Sequence, residues 1–396
     1  MDILPRHLAS QLTRAAGQSP ILLITGPRQS GKTTLARMCF PTKPYANLEA
    51  LDVREFAQLD PRGFLAQYPE GAILDEIQHV PDLLSYLQVK VDEDPAPGQF
   101  ILTGSENLSL SRGVSQSLAG RVAVRVLLPL SHEELQTFPS APDNLWQAVW
   151  AGGYPRIHAD KLDAGRWLND YITTYVERDV RNLARLGDWA TFRTFLRLAA
   201  GRTAQEINLS SLGNDCGVSH NTIREWLSLL EIGFIVHRLP PWHSNLNLSW
   251  IKAPKLHFVD SGLACALLGI REPEQLASHP LRGAIFETWA VGEILKYRLN
   301  RGLAPEALLH MRQTRGLEVD ALIDEGGELI ATEIKSSATP SAPQYANLLR
   351  FRDQTASKKG SRGTVQQLRL VHGGEQPSVR EGVELIPWHT IGKHAW

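Results

Sequence analysis

The segment Gly26-Pro27-Arg28-Gln29-Ser30-Gly31-Lys32-Thr33 carries phosphate-gripping residue types in the spacing G-x-x-x-x-G-K-[ST]. Gly26 and Gly31 let the loop backbone turn its N–H groups onto phosphate oxygens, and the following helix N-terminus, entered through Thr34, adds positive potential. Lys32 is expected to reach the β- and γ-phosphates of ATP, and the Thr33 hydroxyl to hold Mg²⁺. Asp75 and Glu76 end a second apolar run. There Asp75 would complete the Mg²⁺ shell and Glu76 would orient or activate the attacking water. Ser105, or Thr103 near it, is the candidate for contact with the γ-phosphate.

A second chemistry is written into residues 317–335, LEVDALIDEGGELIATEIK. Two alternating stretches flank Gly326-Gly327, a two-residue hairpin signal. A tight turn there sets Asp320 opposite Glu333 on one face, with Lys335 pointing the same way. Two carboxylates so placed repel unless a divalent cation sits between them, and the lysine could orient a water or stabilise a pentavalent phosphate. The alternative is a solvent-facing hairpin whose charges pair across strands, with Glu318 facing Lys335.

Short elements must position these groups. Ile21–Gly26 is long enough for a buried strand and too short for a helix, and Thr34–Met38 favour a helix. Ala72–Glu76 and Phe100–Ser105 read as further strand-like runs. Residues 131–186 read mostly as helix, with Trp167, Tyr171, Ile172 and Tyr175 on one face and a stop at Gly152-Gly153-Tyr154-Pro155. Arg178, Arg181 and Arg185 form a basic stripe there, diluted by Glu177 and Asp179, which fits a solvated face. From Leu209, two helical stretches flank Gly217-Val218-Ser219 as a helix-turn-helix, and Gly233–Leu239 with Lys255–Val259 would add a wing. The second helix carries only His220 and Arg224 as cations, so reading DNA and packing against protein are both open.

Composition narrows the classes. The 396 residues suggest two to four domains, with 43% hydrophobic and 21% charged residues, a globular balance. A net charge of -1 excludes coating nucleic acid by charge alone, though not a local patch. Residues 350–369 hold Arg350, Arg352, Lys358, Lys359, Arg362 and Arg369 against Asp353, the strongest electrostatic case for nucleic acid. Three scattered cysteines suit neither a disulfide framework nor a zinc site. No apolar run suits a membrane helix or a signal peptide, so no membrane partner and a cytoplasmic location are expected. Trp167, Trp189, Trp226 and Trp289 are expected to pack in cores.

GPRQSGKTTLA, ILDE and ILTGS, followed by SLAGR and LLPLSHEEL, resemble AAA-type ATPases of the prokaryotic archaeal-ATPase-like group over about the first 140 residues. That resemblance implies an arginine completing a neighbour's ATP site in a homo-oligomer. Arg121 is the candidate, with action in its own subunit or a plain ion pair as the alternatives. The spacing D-x₁₂-E-x-K resembles the PD-(D/E)XK nuclease core, where a further acid on a preceding helix joins the site, and Glu287 matches it. Glu287, Asp320, Glu333 and Lys335 are therefore expected to form a second metal site. The chain from Val259 onward resembles the domain of unknown function usually fused to these ATPases, although Glu318-Val319 stand where a proline would precede the first aspartate. The expected fold is α/β: a P-loop AAA-type ATPase core (1–130), a helical lid (131–186), a winged helix (187–258) and a C-terminal PD-(D/E)XK nuclease-like α/β domain (259–396). The expected function is Mg²⁺-dependent ATP hydrolysis driving DNA remodelling or processing. An ATP-controlled signalling switch and an ATP-gated nuclease are the alternatives.

Overall fold

The computed structural model describes residues 6–105, 118–176, 189–242, 253–313, 316–357 and 363–396. The arginine stripe at Arg178, Arg181 and Arg185, the basic residues Lys358, Lys359 and Arg362, and Ser117 of SLAGR lie outside them. Two compact units emerge. One comprises Met1–Leu130 with Ile232–Phe234 and Leu299–Leu303; the other comprises Ser131–Glu231, Ile235–Arg298 and Ala304–Trp396.

The first unit is built on a parallel sheet of β1 (Ile21–Thr25), β2 (Tyr45–Asn47), β3 (Ile73–Asp75), β4 (Phe100–Gly104) and β5 (Val122–Val126), in the order β2-β3-β4-β1-β5. β1 pairs in register with both β4 and β5. Its side chains explain the continuous apolar run. Ile21 and Leu23 enter one core with Leu74, Phe100 and Leu102, while Leu22 and Ile24 enter another with Ile73 and Ile101. A strand buried on both faces needs apolar residues at every position. Each fully buried Leu or Ile contributes roughly 1.5–3 kcal/mol of transfer free energy.

The second unit opens with short helices. Ser131 caps His132–Leu135 in a reciprocal capping box with Glu134, and Asn144 and Asp163 cap Leu145–Ala151 and Ala164–Tyr171. Ile172–Val176 continues the last of these as a π-helical turn. The expected aromatic face is there: Trp167 stacks on Tyr171 with ring centroids 5.2 Å apart, and Tyr171 meets Tyr175 at 4.9 Å. The helices Leu209–Cys216 and His220–Ile232 flank a turn in which Gly217 has φ 71°. Gly213 lets the turn come close, since a Cβ there would lie 2.7 Å from the Val218 carbonyl oxygen. Trp226 packs edge-on against Phe192, as core rather than as a stacking platform. β7 (Val236–Leu239) and β8 (Lys255–Phe258) pair antiparallel, and β6 (Gln205–Glu206), which the sequence did not suggest, adds to β8.

A six-stranded mixed sheet follows, in the order β13-β14-β12-β11-β10-β9. It comprises β9 (Leu308–Arg312), β10 (Glu318–Glu325), β11 (Glu328–Lys335), β12 (Thr364–His372), β13 (Ser378–Arg380) and β14 (Val383–Pro387). The helix Ala342–Ser357 connects β11 to its parallel neighbour β12. β10 and β11 pair as Ala321↔Thr332 through Glu325↔Glu328, the register the Gly326-Gly327 turn predicts. No described helix is long and apolar enough to cross a membrane.

Candidate functional site

At the C-terminal end of β1 the chain turns through Gly26 at φ 147° and Gly31 at φ 93°, and the helix Lys32–Cys39 begins. Only glycine fits at 26, because a Cβ would fall 2.1 Å from the Leu127 carbonyl oxygen. Gln29, within the loop, also holds a left-handed φ of 62°. Arg6 clamps the loop from outside, its guanidinium donating to the carbonyl oxygens of Ser30 and Leu128, each at 2.8 Å. The Lys32 ammonium donates to the carbonyl oxygens of Gly26 (3.0 Å) and Pro27 (2.9 Å). Burial lowers its pKa to about 8, against the opposing pull of Glu76 and Asp75. Ser30 is buried with an unpartnered hydroxyl, and Arg28 lies 3.8 Å from Glu49.

Asp75, at the end of β3, is the hub. Thr33 donates to its Oδ1 at 2.8 Å, Thr103 from β4 donates to the same oxygen, and Tyr45 from β2 donates to Oδ2 at 2.8 Å. Glu76 sits in the left-handed region at φ 58°, a costly conformation for a residue with a Cβ, and its N–H bonds Thr103 Oγ1 at 3.1 Å. Gln78 bridges Glu76 and Ser105, reaching the Ser105 hydroxyl at 2.8 Å. Because β4 lies between β3 and β1, Thr103 and Ser105 come up between the Asp75 end and the phosphate loop. Lys32, Thr33, Asp75, Glu76, Thr103 and Ser105 thus converge at one edge of the sheet, where open α/β sheets bind ligands. Hydroxyl and carboxylate oxygens held side by side are donors suited to a small hard cation. Tyr45, Gln78 and Arg6 escaped the sequence reading, since no local motif marks them.

Arg121 is not part of this convergence. Its guanidinium pairs with both carboxylate oxygens of Asp92 and donates to the Ala119 carbonyl oxygen at 3.0 Å. Its own carbonyl accepts from Ile21 N–H, which puts it at the N-terminal edge of the sheet. Five strand residues, about 16 Å, separate that edge from the phosphate loop. The Arg121 guanidinium thus lies with Asp92, away from the phosphate loop of its own subunit.

The second unit gathers the other acids. Asp320 and Glu333 come together as the register requires, and Glu287, from the helix Arg282–Arg301, joins them. Two lysines stand among these acids. Lys255 of β8, 2% exposed, lies 2.9 Å from Glu287, 2.8 Å from Glu318 and 3.4 Å from Asp320. Lys335 contacts Glu333 and lies 3.6 Å from Asp320. Glu318 therefore pairs with Lys255 and not with the facing Lys335. Burial, and then Asp320, push both Glu287 and Glu333 well above the carboxylate range. Burial alone would lower the Lys255 ammonium, but Glu287, Asp320 and Glu318 carry it well above its ordinary value. Four carboxyls against two ammoniums reach neutrality when two carboxyls keep their protons. Among the described residues no group of three or more His, Cys, Asp or Glu is arranged to hold a metal ion.

The basic run at 350–369 also changes on folding. Arg369 is buried on β12, 3.3 Å from Glu384 and stacked 4.6 Å over the Trp396 ring, and Arg352 pairs with Asp353. Of the described members only Arg350 remains without an ion pair among the described residues.

A phosphate loop on a parallel sheet, with threonine, aspartate and glutamate converging on it, defines an ATP-hydrolysing P-loop NTPase of the AAA type. Residues 18–136 match the family described as an AAA domain. Residues 142–274 and 282–391 match two domains of unknown function, DUF8612 and DUF4143. The chain belongs to the family of two mycobacterial relatives: "Uncharacterized protein Rv2008c" of Mycobacterium tuberculosis and "Uncharacterized protein Mb2031c" of Mycobacterium bovis. Each is 32% identical over 339 residues, which is 85% of this chain and 75% of the relative. Among solved structures it is similar to the Walker-type ATPase PABY2304 of Pyrococcus abyssi, at 17% identity and TM-score 0.43 over 67% of this chain and 96% of that one. It also resembles the STAND protein PH0952 of Pyrococcus horikoshii, at 13% identity and TM-score 0.22 over 74% of this chain and 47% of that one.

Proposed function

We propose that ATP hydrolysis by this chain depends on Mg²⁺ and drives remodelling or processing of DNA in a homo-oligomer. In this reading Thr33 and Asp75 hold the Mg²⁺, which neutralises charge developing on the phosphates. Gly26–Thr34 cradle the nucleotide. Lys32 exchanges the loop carbonyls for phosphate oxygens, Glu76 takes the water proton, and Ser105, tied to Glu76 through Gln78, faces the γ-phosphate. The observation that carries the hydrolytic part is the shared Oδ1 of Asp75, which joins the phosphate loop, β3 and β4 at one carboxylate. Arg121 acts in this scheme only from a neighbouring copy, after releasing Asp92.

The DNA part is supported by two helices around a glycine turn followed by antiparallel strands, an order that fits a winged helix over 187–258. The helices of 131–186 form the lid in this reading, and 259–396 a nuclease-like domain that binds without cutting, because Lys255 fills the carboxylate cluster. One observation favours the alternative of a protein-directed switch: the second helix offers only His220 and Arg224 as cations, with Glu225 against them.

The test is the ATP hydrolysis rate against single-stranded, duplex, forked and four-way DNA, with Lys32→Ala as the blank. Stimulation by one structure is expected. A flat response across the panel would refute the DNA reading and leave the switch.

A further inference from the structure

Directly after β3 the chain bends sharply. Glu76 has φ 58° and ψ 49°, the left-handed region that a residue with a Cβ avoids. Two bonds hold it there. Its N–H donates to Thr103 Oγ1 at 3.1 Å, and its carbonyl oxygen accepts from His79 N–H at 3.1 Å. The second of these opens a single 3₁₀ turn, Ile77–His79, and the Gln78 side chain comes back against the Glu76 carboxylate. Backbone strain of this kind persists only where the surroundings over-determine it, and it gathers at sites of chemistry.

The Gln78 amide nitrogen donates twice, to Glu76 Oε2 and to Ser105 Oγ, the latter at 2.8 Å. An amide carries two N–H donors, so both are in use. Turning the amide over would set its oxygen against a carboxylate oxygen, two acceptors with no proton between them. The nitrogen therefore belongs where it lies, while Oε1 is buried and bonds no described residue. One nitrogen thus joins the carboxylate that follows β3 to the hydroxyl that follows β4.

We infer that Gln78 is a positioning residue for ATP hydrolysis: it holds one Glu76 oxygen so that the other meets the attacking water. Ser105 anchors the amide from the far side and thereby sets the base at a fixed distance from the γ-phosphate contact. Gln78 itself touches neither water nor phosphate in this role and acts through Glu76. This rests on the reading of Glu76 as the base, and not on the DNA reading.

The experiment measures ATP hydrolysis by the full chain without DNA. Gln78→Met keeps the length of the side chain and removes both donors. It should lower kcat by about ten- to a hundredfold, the scale on which a misplaced reacting group slows a reaction. KM, and ATP affinity by equilibrium dialysis, should stay within about twofold of the parental values. Added to Glu76→Gln, the same substitution should slow turnover by no more than about twofold further, because its effect passes through the carboxylate already lost. Four results would overturn the inference. They are a parental kcat in Gln78→Met, an equal loss in both backgrounds, loss of ATP binding, and faster turnover, which would make the amide a restraint on Glu76. Failure of the underlying reading looks different: Glu76→Gln alone would then hydrolyse ATP at the parental rate.

Discussion

Two buried charge clusters in this chain solve opposite problems. The site at the end of β1 presents one buried ammonium on its own loop carbonyls and an aspartate satisfied by neutral hydroxyls. Its charges are arranged for something that arrives. In the cluster around Asp320 each acid meets a lysine, and burial together with the neighbouring Asp320 raises the Glu287 and Glu333 carboxyls. The first sets its lysine on loop carbonyls, and the second sets its lysines among acids. Acid residues at suggestive spacing do not distinguish the two cases, but the origin of the compensating charge does.

The comparison breaks first at Lys32. Lys32→Ala should lower ATP hydrolysis at least about a thousandfold, some 4 kcal/mol in the barrier, while the urea midpoint of unfolding stays nearly unchanged. A large loss of stability would make this site as self-contained as the other. Lys255→Met should do the reverse. Removing one partner of a buried ionic cluster costs about 3–5 kcal/mol, so unfolding of the second unit should shift to markedly lower urea. Unaltered stability in that variant would show that the cluster tolerates an empty centre and could admit a cation. Glu76→Gln should retain ATP binding by equilibrium dialysis and slow turnover by about a hundredfold or more. Turnover at the parental rate would move the base elsewhere.

Acid sharpens the contrast. His132 lies between Trp289 and Trp388, and burial, reinforced by His389 and Lys296, lowers its pKa to about 4. The unfolded chain, with an ordinary histidine near 6.5, binds the proton first. Stability contributed by the neutral imidazole is therefore complete above about pH 6.5 and is lost as pH falls from there toward 4. The loss amounts to about 3 kcal/mol by linkage. His132→Phe should flatten that part of the stability profile measured by thermal melting, and an unchanged profile would assign the acid sensitivity to other groups. The smallest effect is expected at Tyr45→Phe. It removes one hydrogen bond to Asp75, worth about 1 kcal/mol, and should alter hydrolysis only severalfold. A loss as large as that of Lys32→Ala would make the tyrosine part of the chemistry.

The phosphate site was legible because its glycines, lysine and threonine are contiguous and its strands are short apolar runs buried on both faces. The β10–β11 register was legible because Gly326-Gly327 fixes the turn and strand side chains alternate. Lys255 was not, since it stands 65 positions before Asp320 and no pattern in the stretch between them announces the contact. Arg369 was misread for a related reason. Counting cations along 350–369 ignores which strand face each occupies, and Arg369 falls on the buried stretch of β12. Arg121 shows the same limit: its motif is visible, but its place at the opposite edge of the sheet appears only once β5 pairs with β1.

Tyr45 sits on the outermost strand of the first sheet, 37% exposed, yet its hydroxyl ends on the aspartate that also receives Thr33. A change in the partners of Asp75 thus alters the surroundings of a phenol at the sheet's rim. All ten tryptophans lie beyond residue 145, so none belongs to the unit that contains this tyrosine. Tryptophan emission in an unlabelled sample therefore follows the second unit alone.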